Sequence, residues 1–330
     1  MRSLIVFCPL GLSNRLQVLI SGLALAEASG REFKMLWPLT PACAAPFADL
    51  FANDWPVQTV DATAVVDLPY VSGWFDRLPD LLVAPENELI IGHPTWLLRI
   101  EQYPEHAKLM DRCRTLFADL QPSVSIQNQI EILKRHFIRP TMIGIHLRRG
   151  DLLRERPDMA GNTAQAIAAV DDFLVQAPDA GLLLCTDDGA PDPRSGRPTP
   201  REGVRKKFID RYGKRVMTPI PRSMDRASSI AVQDALFELY VLRACDFFVG
   251  TAGSSFSQMV VFDQEKPHLF AAGATPVYGW LEKVARYTGL YALLIKLGQR
   301  RLGQSLPFPA LLRYVKLTSI RWLTRFPFNL

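Results

Sequence analysis

The 330-residue chain lacks the segments that define several large protein classes. No stretch reaches the roughly 18 consecutive apolar residues of a membrane-spanning helix. The five cysteines, Cys8, Cys43, Cys113, Cys185 and Cys245, contain no C-x-x-C pair. Wide, irregular spacing of that kind argues against a zinc ribbon, a dithiol redox centre or a disulfide framework. They read as reduced core thiols of a cytosolic protein. A signal-peptide pattern is also missing, because Arg2 is followed only by the short run Leu4-Ile5-Val6-Phe7 before Pro9. The chain has no G-x-x-x-x-G-K-[ST], no H-E-x-x-H, no G-x-S-x-G and no D-x-D run. These absences speak against a P-loop NTPase, a zinc protease, an α/β-hydrolase and a metal-dependent sugar transferase.

Acidic residues are scarce in one region only. Residues 281–330 hold nine Lys and Arg against the single acid Glu282, a local charge of +8, whereas the whole chain carries +5. The remaining body is therefore slightly acidic, and the basic pI belongs to the tail. No nucleic-acid partner is expected from such a distribution. Within the tail, residues 290–297 and 311–323 alternate apolar and basic side chains. They read as amphipathic helices suited to an anionic membrane surface, with packing back onto the body as the alternative.

What the chain does contain is a series of short apolar runs that end on polar clusters. Ile143, Ile145 and Leu147 alternate along a strand that stops at Arg148-Arg149-Gly150-Asp151. In open α/β sheets the carboxyl ends of strands are where ligands bind, and an arginine fork suits phosphate. Gly181 to Cys185 is a second buried strand, ending at Thr186-Asp187-Asp188, and Phe247 to Val249 is a third. After it, residues 250–257 (Gly-Thr-Ala-Gly-Ser-Ser-Phe-Ser) turn into a helix, a strand-to-helix turn of the type that receives anions. Arg148, Arg149, Asp187, Thr251, Ser254 and Ser255 are thus expected on one rim, a set that suits a nucleotide diphosphate held without a metal.

The N-terminal part opens in the same style. A strand over Leu4 to Cys8 leads through Gly11-Leu12-Ser13-Asn14-Arg15 into a helix that stops near Gly30, and a strand over Phe33 to Trp37 is expected to end at Pro38. Ser13 or Asn14 is the expected N-cap. Arg15 is then a cation at a helix N-terminus, an unfavourable place, and an anionic or sugar ligand above that end is one reason for it. From Thr40 to Gly92 the pattern is irregular, with a short strand over Leu89 to Ile91. His93 and Trp96 are candidates for lining a sugar cleft, or members of an exposed loop. A helix is expected from Gln121 to Phe137, and a domain boundary is placed near Pro140. Residues 190–203, rich in Pro, Arg and Gly, read as a loop.

Four of these segments, in order, resemble one family. Residues 144–151 resemble the H-x-R-R-x-D signature of the α1,6-/α1,2- and protein O-fucosyltransferase superfamily. Residues 184–188 are similar to its second motif, and residues 238–246 with 250–257 to its third. Gly11 to Arg15 looks like its N-terminal loop, so that Gly11, Asn14 and Arg15 are candidate cleft residues.

The resemblance implies a GT-B-like α/β architecture of two Rossmann-like domains facing a cleft. Residues 1–139 would form the acceptor-side domain, 140–278 the nucleotide-sugar domain and 279–330 a basic tail. It implies an inverting, metal-independent transfer of fucose from GDP-fucose to a glycan or lipid-linked saccharide, without a cofactor. Another nucleotide sugar, or binding without catalysis, is the alternative. In that frame Arg148 contacts the donor diphosphate, and Arg149 and Asp151 shape its loop. His146 approaches the guanosine, Asp187 orients the loop or donor, and Thr251, Ser254, Ser255 and Phe256 sit by the phosphates. Glu238 stands where relatives often carry an aspartate that reads guanine. Asp187 and Glu155 are the candidate acceptor bases.

Overall fold

A computed structural model describes residues 2–70, 84–97, 106–136, 139–150, 152, 159, 161–189, 203–225 and 227–272. The expected basic tail, Asp151, Glu155 and nearly all of the expected loop at 190–203 lie outside the described residues. Two parallel sheets, both within the unit Met1–Ala274, organise the rest.

The first sheet is built on β1 (Ser3–Phe7), whose apolar run is paired on both sides. Its neighbours are β2 (Glu32–Leu39) and β4 (Glu88–Gly92), and β3 (Val57–Asp61) forms the edge beyond β2. Helix α1 (Leu12–Ser29) connects β1 to β2 and is buried on nearly every side. The short α2 (Phe47–Leu50) lies between β2 and β3 in the chain. Two more helices, α3 (His106–Ala118) and α4 (Val124–Arg135), complete this half.

The second sheet has the order β7-β6-β5-β8-β9, again all parallel. Its strands are β5 (Met142–Leu147), β6 (Gly181–Thr186), β7 (Val216–Met217), β8 (Phe247–Thr251) and β9 (His268–Ala271). Helices α5 (Asn162–Gln176) and α6 (Val204–Tyr212) pack on one face, where Ile143, Ile145 and Leu147 meet Ala166, Val170 and Phe208. Helices α7 (Ser229–Arg243) and α8 (Ser255–Val261) cover the other face with Leu236, Leu239, Leu242 and Met259. That second layer belongs to a core continuous with α1, α3, α4 and the first sheet, so one apolar body joins the two halves.

Some expectations need correction. β2 does not stop at Trp37 but runs through Pro38 to Leu39. Proline brings no N–H to a ladder, and the Pro38 carbonyl is taken by Arg15. β3 was hidden because it is an edge strand whose side chains are all partly or fully exposed. Neither Ser13 nor Asn14 caps α1: the N-cap is Gly11, which offers no side-chain bond.

Both sheets reverse direction of growth beside their first strand. In the second, the chain steps from β5 out through β6 to β7 and returns to β8 on the other side. In the first, β4 returns to the far side of β1. The carboxyl end of such a reversal is the ligand position of open α/β sheets.

Candidate functional site

The two reversal points share one cavity of about 560 Å³. The first half contributes residues 9–14, after β1, and 40–42, after β2. The second contributes Arg148 and Leu152 after β5, residues 253–256 after β8, and Ala231, Val232 and Ala235 of α7. Among the described lining residues Arg148 is the one ionisable side chain.

Arg148 is placed by the Thr251 hydroxyl and the Asp187 carboxylate. Its N–H donates to Thr251 Oγ1 at 2.9 Å, and that hydroxyl donates in turn to the His146 carbonyl at 3.0 Å. Its guanidinium Nε lies 3.3 Å from Asp187 Oδ2. Asp187 follows β6 directly, and its Oδ1 accepts the backbone N–H groups of Arg149 at 2.5 Å and Gly150 at 3.1 Å. One carboxylate therefore fixes both the turn and the arginine. A Cβ on residue 150 would sit 3.0 Å from Asp187 Oδ2, a tight contact that glycine avoids. Asp187 is not among the residues that line the cavity, and its described contacts are with Arg148 and the turn that follows it.

Arg149 goes the other way. It is buried, and its guanidinium donates to Asn162 Oδ1 at the first residue of α5. Strand alternation explains the split. Arg149 continues the Ile143–Ile145–Leu147 face toward α5, whereas Arg148 continues the Gly144–His146 face toward α7 and α8.

His146 is buried behind the wall. Its Nδ1 lies 2.7 Å from Ser257 Oγ, and its ring packs 4.4 Å from that of Phe256, which lines the cavity. Ser257 Oγ also accepts the Thr251 N–H at 2.9 Å. Thr251 is thus fully buried beneath Arg148 and not on the surface of the site.

The turn before α8 is formed as expected. Gly253 adopts φ +75°, a conformation that glycine adopts without strain. Ser254 caps α8 by accepting the Ser257 N–H, and Ser255 donates to Asn14 Oδ1 at 3.1 Å. The Asn14 amide donates to the Pro94 carbonyl at 2.6 Å. Asn14 is therefore a bridge between the two walls, where a cap was expected.

Arg15 does not line the cavity. It is fully buried, with Nε on the Leu10 carbonyl at 2.7 Å, one terminal nitrogen on the Pro38 carbonyl at 2.5 Å and the other on Thr40 Oγ1 at 2.8 Å. Its guanidinium carbon is 5.0 Å from the Trp37 ring centre. The cation at this helix start holds the loops after β1 and β2, and the ligand invoked for it is unnecessary. Burial lowers its pKa, with the nearby Cys43 and Cys8 acting in the opposite sense.

Glu238 is also absent from the wall. Burial pushes its carboxyl up to about 8, Arg205 pulls it down, and Asp187 and Asp234 push it further up. His93 is buried with Nδ1 2.8 Å from the Thr95 carbonyl, and Trp96 packs 4.6 Å from the Phe262 ring. Trp96 belongs to the junction of the halves. Leu10, residues 40–42 and the small residues of α7 were missed, since Ala231 and Ala235 carry no chemical mark beyond helical spacing.

No protein-family model matches the chain, and no curated protein matches its sequence. Solved structures do match in fold. The NodZ α-1,6-fucosyltransferase soaked with GDP-fucose gives a TM-score of 0.54, at 17% identity over 80% of this chain and 93% of that one. A mutant of the Arabidopsis thaliana FUT1 in complex with GDP gives 0.53, at 12% identity over 81% and 70%. POFUT1 in complex with GDP-fucose gives 0.51, at 13% identity over 82% and 98%. At these identities the likeness establishes a shared α/β fold of parallel sheets.

Proposed function

We propose, from a fold shared with fucosyltransferases and a cavity whose one ionisable wall residue is Arg148, that the chain is an inverting, metal-independent glycosyltransferase. It moves fucose from GDP-fucose to a glycan or glycolipid acceptor. The observation that carries the reading is the placement of Arg148 at the reversal point beside β5, oriented by Asp187 and Thr251.

In this reaction the acceptor hydroxyl oxygen attacks the sugar C1 from the side opposite the diphosphate and gives up its proton to a base or to water. The C1–O bond to the β-phosphate breaks, and its electron pair leaves with GDP. The chain's part is to hold the diphosphate and to meet the charge that develops on it. A guanidinium fixed in advance does so without reorganising at the moment of reaction. Arg148 supplies that charge, Ser254 and Ser255 supply hydroxyls beside it, and Phe256 gives an apolar surface backed by His146. Asp187 acts through Arg148 as a positioning residue. Residues 1–139 form the acceptor side in this reading and 140–278 the donor side. The basic tail gives peripheral contact with an anionic membrane on the cytoplasmic face.

The test is a transfer assay on the full chain with GDP-fucose, GDP-mannose and a UDP-sugar, following nucleotide release with and without acceptor mixtures. The reading expects release from GDP-fucose, retained in the presence of chelator. Turnover of a different donor instead would replace fucose with that sugar. GDP binding without release from any donor would make the chain a binding protein. Co-sedimentation with anionic vesicles, compared with a chain ending at Trp280, tests the tail: equal binding of both removes the membrane contact.

A further inference from the structure

The turn that carries Arg148 is backed by the start of α5, which the proposed donor site does not use. Helix α5 has 15 residues, no acidic residue in its first turn, and an N-cap, Gly161, that offers no side-chain bond. The leading N–H groups of a helix have no acceptor within it, and the positive end of the helix dipole favours a negative charge there.

A second observation stands apart from the helix end. Asn162 is 0% exposed and Thr163 5%, yet Asn162 Nδ2 and Thr163 Oγ1 have no hydrogen-bond partner among the described residues. Enclosed polar atoms of this kind nearly always have one. Turning the Asn162 amide over would not remedy this. Its Oδ1 accepts from the Arg149 guanidinium, which can only donate, so Nδ2 is fixed as a donor that lacks an acceptor. Two consecutive residues thus bring an amide donor and a hydroxyl to a helix start, beside a buried guanidinium.

We propose that Asn162 Nδ2, Thr163 Oγ1 and the start of α5 form a buried binding position for a small inorganic anion, chloride in kind, next to Arg149. Their closure from solvent favours a monatomic ion over a phosphate or a carboxylate ligand. A buried charge is tolerated when it is paired and hydrogen-bonded, and the guanidinium, the amide and the hydroxyl supply those contacts. The position is separate from the cavity, whose wall includes none of Arg149, Asn162 and Thr163. It lies behind the donor-side turn, because Asp187 holds the Arg149 and Gly150 N–H groups and meets Arg148 as well. It does not depend on which donor the cavity takes.

The test is thermal unfolding of the full chain as sodium chloride replaces sodium gluconate at constant ionic strength, in wild type, Thr163→Val and Asn162→Asp. Wild type is expected to show a midpoint that rises with chloride and saturates. Loss of one hydroxyl donor in Thr163→Val is expected to raise the half-saturating chloride concentration roughly 3- to 10-fold. Asn162→Asp places a carboxylate where the amide donor stood, and its midpoint is expected to be indifferent to chloride. A wild-type midpoint equal in the two salts overturns the position and leaves the two atoms to water. The same chloride response in all three proteins also overturns it, by placing the ion elsewhere. Where Asn162→Asp fails to fold, Thr163→Val decides alone: an unchanged half-saturation overturns the position.

Discussion

Arg15 and Arg148 make an informative pair. Each follows the first strand of its half, and each stands at the reversal point of its sheet. Arg15 is enclosed by the carbonyls of Leu10 and Pro38, the Thr40 hydroxyl and the Trp37 ring. Arg148 meets the Asp187 carboxylate through Nε and reaches the cavity with a quarter of its side chain exposed. The same residue type at equivalent places is a strut in one half and a ligand-facing group in the other. What surrounds the guanidinium decides the outcome: backbone acceptors hold the first one in, and Asp187 aims the second one out.

The largest effect that bears on this contrast is expected at Arg15. Arg15→Met leaves the buried Pro38 carbonyl and the part-buried Leu10 carbonyl without this donor, and an orphaned buried group costs about 1–3 kcal/mol. A loss of roughly 3 kcal/mol or more in urea unfolding is expected, with nucleotide affinity of the folded fraction little changed. A variant of full stability that had lost GDP binding would reverse the roles assigned to the two arginines.

Gly150→Ala acts on the other half. The added Cβ meets Asp187 Oδ2 at 3.0 Å, so the carboxylate shifts and Arg148 with it. Overpacking of this kind costs about 1–3 kcal/mol, and the lower end is expected at a turn. GDP affinity should fall alongside. Affinity unchanged at reduced stability would separate Asp187 from the aim of Arg148.

Glu238 gives a pH-dependent effect with a definite sign. Its carboxyl is raised from the usual 4.5 to about 8, chiefly by burial. Between those values the folded state holds the proton more tightly than the unfolded chain, so this group's contribution to stability is present below pH 4.5 and is lost as pH rises toward 8. The slope is at most about 1.4 kcal/mol per pH unit. Glu238→Gln should flatten the stability profile across that window, as measured by urea unfolding at stepped pH. Parallel profiles for the two proteins would show that the carboxyl is not shifted.

Much of this was legible in residue order. The buried runs of β1, β5, β6 and β8 and the turn before α8 carry their own signals, because strands covered on both faces read as continuous apolar segments. β3 has no such run, and a partly exposed edge strand leaves little pattern. Helix α3 was not anticipated although Met110, Cys113 and Phe117 fall on one buried face. In the site, the separation of Arg148 from Arg149 was readable from alternation along β5. The fates of Asn14 and Arg15 were not. Their partners, Ser255 and Pro94 for one and Leu10, Pro38 and Thr40 for the other, come from segments that only the folded chain brings together. Polarity in a sequence shows that a group needs partners, and tertiary packing decides whether those are protein or ligand.

The most direct test is the affinity of Arg148→Ala for GDP, beside wild type, with the stability of both proteins measured in the same buffer. The partly exposed side chain predicts an unfolding midpoint close to that of wild type. The account predicts a loss of roughly 1.5–3 kcal/mol in GDP binding, the range for hydrogen bonds to charged groups, or about 10- to 150-fold in Kd. Equal affinity in two equally folded proteins would contradict it and leave the cavity without a diphosphate ligand.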